Sequence, residues 1–171
     1  CFRPGVSEIV VAPGACEVVQ VAAEEARDFL SQSLGAEIPV VTARTPGRTA
    51  LVLGANAWAD AAGVTTNGLV RDAFRIRTVG ADSVYVVGVD DPNGRARMRT
   101  QRGMRGNFYE RATCFGVCEF LERYAGIRFY FPGALGTIVP RRAYIDVPET
   151  DMTVAPYATE RCYSLYDGGL W

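Results

Sequence analysis

Carboxylates, thiols, hydroxyls and arginine are the side chains available for chemistry in this sequence. Its 171 residues include 19 Asp and Glu, five Cys and 18 basic residues, and every basic residue is arginine. Histidine and lysine do not occur. Their absence removes Ser-His-Asp and Cys-His nucleophiles, imidazole bases and histidine-held metals. It also removes Schiff-base chemistry and the phosphate-loop lysine. Hydrolysis of an acetal bond needs two carboxyl groups a defined distance apart, one donating a proton and one acting as base or nucleophile. Three groups could supply them: Asp90 with Asp91, Glu119 with Glu122, and Asp146 with Glu149 and Asp151. Each has a simpler reading. Asp90 and Asp91 precede Pro-Asn-Gly and suit a turn, the glutamates fall on a solvated helix side, and a chain with 19 acids holds such pairs by chance.

The cysteines, at 1, 16, 114, 118 and 162, are odd in number and scattered, which is neither a disulfide framework nor a zinc ribbon. Cys114 and Cys118 lie one helical turn apart but lack a third ligand, so buried core thiols are expected and no metal or cofactor is. Gly54-Ala55-Asn56-Ala57 lacks the further glycines of a dinucleotide loop.

Arginine is concentrated in one place. Arg95, Arg97, Arg99, Arg102 and Arg105 occur within eleven residues of a polar stretch, 90–109. Guanidinium forks suit carboxylate, sulfate and phosphate, so two readings compete: a solvated loop, or a contact for an anion, an acidic polysaccharide or an acidic face of another domain. Nucleic acid is not expected. The net charge is −1, the pI about 5.6, and only Phe108 and Tyr109 interleave with the cations.

The elements that must position these groups are legible from periodicity. Residues 6–12 read as a strand ending at Pro13-Gly14, and 16–21 form a second short apolar run. Ala22, Ala26, Phe29, Leu30 and Leu34 then mark an amphipathic helix stopped by Gly35. Strands are expected at 38–43, 49–53, 73–79 and 83–89, the second buried on both faces and the third solvated on its arginine face. A short helix fits Asn56 to Ala62. A second long helix, 110–125, places Cys114, Val117, Cys118, Leu121 and Ala125 on its core face and stops at Gly126. An aromatic strand at 127–131, with two of its aromatics in the core and Tyr130 at an interface, leads to a final strand pair at 136–139 and 143–147. After Pro148 the chain turns polar.

Four strings, in this order, resemble the amino-terminal domain of family 67 glycoside hydrolases, the α-glucuronidases. They are Ala22 to Leu30 followed by Gly35-Ala36-Glu37-Ile38-Pro39-Val40; Leu51 to Ala57; Asp72 to Thr78; and Phe115 to Gly133, a helix-Gly-aromatic-strand unit that is the most specific of them. The resemblance covers roughly 6–148. It implies an α+β domain with a mixed, largely antiparallel sheet and two main helices on one face, similar to the second, non-catalytic domain of β-hexosaminidases. It places residues 1–148 in that domain and 149–171 in a linker and the start of a (β/α)8 barrel, which would carry the catalytic carboxylates. No catalytic residue is carried over to this chain. Relatives usually have a short turn after the strand equivalent to 83–89, so the arginine-rich 90–109 segment departs from the pattern.

The leading expectation is therefore a non-catalytic accessory domain of an extracytoplasmic bacterial polysaccharide-degrading hydrolase. Its expected partners are the barrel of the same chain, met through Arg128 and Tyr130, and polysaccharide. The alternatives are an autonomous carbohydrate- or anion-binding module using Arg95 to Arg105, and a hydrolase in its own right. No stretch reaches the roughly 20 apolar residues of a membrane span. Cys1 reads either as a cut end, the favoured reading, or as the lipid-bearing first residue of a processed lipoprotein.

Overall fold

A computed structural model describes residues 1–96 and 109–157. Its strands and helices follow in the order β1 (Ser7–Val11), α1 (Glu17–Leu34), β2 (Val40–Val41), β3 (Thr49–Leu53), α2 (Ala57–Ala61), β4 (Phe74–Val79), β5 (Ser83–Gly88), α3 (Ala112–Phe120), β6 (Arg128–Phe129), β7 (Thr137–Ile138) and β8 (Asp151–Val154). Six strands form one sheet in the order β2-β1-β3-β5-β4-β8, and β6 pairs with β7 in a separate ladder. The β2-β1-β3-β5 half is parallel, while β4 runs antiparallel to both β5 and β8. The fold is thus α+β with a mixed sheet, as expected, and within the six-stranded sheet the antiparallel pairings are those of β4.

Alternation along the strands sorts the core into two layers. Ile9, Val11, Leu51, Leu53, Phe74, Ile76, Val84 and Val86 pack against α1 and α3, whereas Val10, Val52, Tyr85 and Val87 face Ala59 of α2 and Val64. That is why β3 is apolar at nearly every position. β4 keeps its arginines on the wetter face, where Arg75 donates to the Thr65 and Asn67 carbonyls at 3.0 and 2.8 Å.

α1 begins at Glu17, so the apolar run 16–21 is its first turn and not a strand. Val18, Val19, Ala22, Ala23, Ala26, Leu30 and Leu34 form one buried face, and burial of that continuous face outweighs the β preference of the valines. Gly35, at φ +70°, ends the helix by donating its N–H to the Ser31 carbonyl.

α3 continues into a π-helical turn, Leu121–Ala125, ended by Gly126 at φ +75°. Thr113, Gly116, Val117, Phe120 and Leu121 point inward, and Cys118 is exposed. The expected core thiols are therefore corrected: Cys114 is half-buried, its Sγ 3.4 Å from the Val18 carbonyl oxygen, and Phe120 occupies the core position. Gly116 lets α3 sit directly on the sheet, since a Cβ there would lie 2.5 Å from Val86.

The sheet runs past residue 148, where composition placed the end of the domain. Thr150 accepts and donates hydrogen bonds with Thr78, and β8 pairs with β4 from Arg77↔Asp151 to Phe74↔Val154. Arg77 also lies 3.3 Å from the Asp151 carboxylate. Alternating polar and apolar residues in 151–154 suit an edge strand, which a reading for polar composition mistakes for linker. The expected strands at 127–131 and 143–147 shrink to β6 and to a bridge between Phe2 and Ile145. Among the described residues no helix is long and apolar enough to cross a membrane.

Candidate functional site

The carboxylates come first because acetal hydrolysis would require them. Asp90 follows β5 and is more than a turn former. Its carboxylate accepts from the backbone N–H and the hydroxyl of Thr113, the backbone bond being 2.9 Å. Arg111, at the start of α3, has no capping side chain, so Asp90 caps that helix from across the fold. Burial pushes the Asp90 carboxyl up to about 6, against the opposing hydrogen bonds from Thr113. Such a value is suited to a general acid at neutral pH, but the oxygens are spent on the helix end. Asp91 caps its own turn by accepting from Asn93 N–H at 2.8 Å.

The other acids also have structural roles or lie open. Glu119 is held by Arg123 at 2.6 Å, Asp151 by Arg77, and Asp146 and Glu149 are exposed. Glu8, fully buried on β1, accepts the Thr45 N–H at 2.7 Å and so ties down the loop before β3. Of these acids, Glu149 lines one hollow together with Asp82.

Of the arginine cluster, Arg95 is exposed at the end of the described segment, and Arg97, Arg99, Arg102 and Arg105 lie outside the described residues. Nearby, the Arg111 guanidinium lies over both the Tyr109 and Phe115 rings, at 5.4 and 5.6 Å.

The β6-β7 hairpin is the clearest surface feature. Phe129 anchors it, meeting Phe29 of α1 edge to face with centroids 5.1 Å apart. The strand then bends, so Tyr130 and Phe131 do not alternate inward and outward; both are exposed, at 68% and 58%. The expectation of two core aromatics becomes one. Leu135, 94% exposed, and Ile138, 53% exposed, belong to the same hairpin. The short hairpin thus exposes four large side chains, Tyr130, Phe131, Leu135 and Ile138. Arg128 folds back from it, donating to the Glu122 and Ile127 carbonyls at 2.8 and 2.7 Å.

Two hollows lie at the opposite end of the sheet from Asp90. One, of about 360 Å³, is lined by residues that include Cys1, Thr49, Asp82, Ser83 and Glu149. The other, of about 450 Å³, is lined by Tyr124, Arg141, Arg142, Ala143, Tyr144 and Asp146. No sequence motif marked Arg141 and Arg142; the available signal was two arginines between Pro140 and an Ala-Tyr pair. Among the described residues no three potential metal ligands gather.

Comparison with known proteins yields a likeness of fold. No family model matches the sequence, and no curated protein matches it. Among solved structures, the chain is similar to part of a family GH115 4-O-methyl-α-glucuronidase with specificity for decorated arabinogalactans, with a TM-score of 0.53 over 91% of this chain at 13% identity. The chain spans 18% of that enzyme's length. The likeness is one of fold, to a domain of a glycoside hydrolase.

Proposed function

We propose that this chain is a non-catalytic accessory domain of a polysaccharide-degrading glycoside hydrolase, with an α-glucuronidase-like parent. The observation that carries the reading is the pair of coverages: nearly all of this chain superposes on less than a fifth of a much longer hydrolase. The side chains support it. The strongest candidate acid, Asp90, is a helix cap. The contact with the rest of the parent is assigned to the β6-β7 hairpin, through Tyr130, Phe131, Leu135 and Ile138, with Arg128 bracing its base. An extracytoplasmic location goes with a polymeric substrate.

The test is turnover by the purified 171-residue chain on aryl glycosides, aryl glucuronides and glucuronate-decorated polysaccharide. The reading predicts none. Turnover that disappears on Asp90→Asn would replace it with the reading of a hydrolase in its own right.

A further inference from the structure

The hollow lined by Tyr124, Arg141, Arg142, Ala143, Tyr144 and Asp146 is built on the ends of both long helices. The segment 140–142 crosses the end of α1, where Arg142 N–H donates to the Ser33 carbonyl at 2.9 Å and the Ser33 hydroxyl donates to the Pro140 carbonyl at 2.7 Å. Its two arginines rest on the glycine caps. Arg141 Nη1 lies 3.0 Å from where a Cβ on Gly35 would be, and Arg142 Nη2 lies 2.8 Å from where one on Gly126 would be. Glycine at both caps thus leaves room for the guanidinium groups.

Neither guanidinium has a hydrogen bond or ion pair among the described residues, and neither has the Asp146 carboxylate. Arg71 and Arg95 are also unpartnered, but they line neither hollow. Donors, an acceptor and an aromatic ring therefore line an open hollow of about 450 Å³ without satisfying one another. That volume falls in the usual range for a small-molecule site, roughly 300–1,000 Å³. Tyr144 is half exposed, and the Arg3 guanidinium lies over its ring, 5.6 Å from the centroid.

Charge decides what fits. Two guanidinium charges face one carboxylate and the carbonyl ends of two helices, each end worth roughly half a negative charge. These negative groups offset the Arg141 and Arg142 charges, and Arg3 lies beyond the Tyr144 ring, so the hollow offers directed hydrogen bonds with at most a weak net pull on anions. A neutral sugar ring matches this. Its hydroxyls accept from guanidinium forks and donate to a carboxylate, and its apolar C–H face stacks on an aromatic ring. We infer that this hollow is a binding subsite for an uncharged pyranose. The chemistry rests on the hollow itself; the supply of that sugar as a polysaccharide unit rests on the accessory-domain reading.

The experiment is a ¹H–¹⁵N NMR titration of the 171-residue chain with xylobiose, cellobiose and galactobiose at millimolar concentration, with sodium glucuronate and sodium sulfate as anion arms. The expected result is that at least one neutral disaccharide shifts the amides of Tyr124 and residues 141–146 more strongly than either anion does. Arg142→Gln and Asp146→Asn should each weaken binding about tenfold or more, as loss of a hydrogen bond to a charged group does. Arg71→Gln should leave it unchanged, and dispersed spectra establish that each variant is folded. Should the Arg142→Gln variant lose dispersion, Asp146→Asn, at an exposed position, decides the matter. Shifts with glucuronate or sulfate alone, or none with any sugar, overturn the inference, and either result leaves the accessory-domain reading intact. Glycoside turnover by the chain overturns that reading and leaves the subsite standing.

Discussion

Asp90→Asn separates a structural carboxyl from a catalytic one. In the folded chain the Asp90 carboxyl is raised from its ordinary 3.8 to about 6, mainly by burial. Below pH 3.8 it is protonated whether the chain is folded or unfolded. Between 3.8 and about 6 the folded chain keeps a proton that the unfolded chain has released, so stability is lost as pH rises through that window. Across the whole window the loss is about 3 kcal/mol, and between pH 4.5 and 7.5 about 2 kcal/mol. The amide introduced by Asp90→Asn does not titrate, although its carbonyl can still accept the Thr113 N–H. The assay is urea unfolding of both proteins at the two pH values. With a denaturant slope of roughly 2 kcal/mol per molar urea, the wild-type midpoint should fall by about 1 M more than that of the variant. Burial also raises the Glu25 carboxyl, but Glu25 contributes equally to both proteins and cancels. Parallel midpoints at the two pH values would refute the assignment of Asp90 as a buried helix cap.

Gly116→Val should push α3 off the sheet against Val86 and Phe74, costing about 3 kcal/mol and lowering the thermal midpoint by roughly 6–12 °C in a circular dichroism melt; an unchanged midpoint contradicts the close approach. Tyr130→Ser combined with Phe131→Ser should change the isolated chain by no more than about 0.5 kcal/mol, because both residues are exposed. The same pair should lower the melting temperature of the parent polypeptide, and equal effects in both settings would remove the hairpin from the interface. Burial pushes the Cys114 thiol up to about 12, so iodoacetamide at about pH 8, near the ordinary thiol range, should label it only after unfolding, as read by peptide mass; prompt labelling of the folded chain contradicts this.

The long elements were legible because burial repeats along them. α1, β3, β4 and β5 each carry several core residues at their own period, and Gly35 and Gly126 mark both long-helix ends. What escaped depends on contacts between distant parts of the chain. β8 exists because β4 has a free edge, and the alternation in 151–154 does not by itself say which strand it joins. The inward face of α3 is centred on Gly116, Val117 and Phe120, so the face drawn through Cys114 and Cys118 was displaced around the helix, placed Cys118 inside and missed Phe120. Asp90 read as a turn residue because its partner, Thr113, is 23 positions away. The hollow around Arg141 and Arg142 forms only when two glycine caps, far apart in sequence, meet one short segment.

The central claim, that this is one domain of a larger hydrolase, is tested most directly by the mass of the polypeptide in its source cells, measured by immunoblot with an antibody to this domain. A barrel adds about 250 residues. At this chain's own 18.6 kDa for 171 residues, that is about 27 kDa more. The account predicts a band at roughly 45 kDa or above, and a native polypeptide of 18.6 kDa would contradict it.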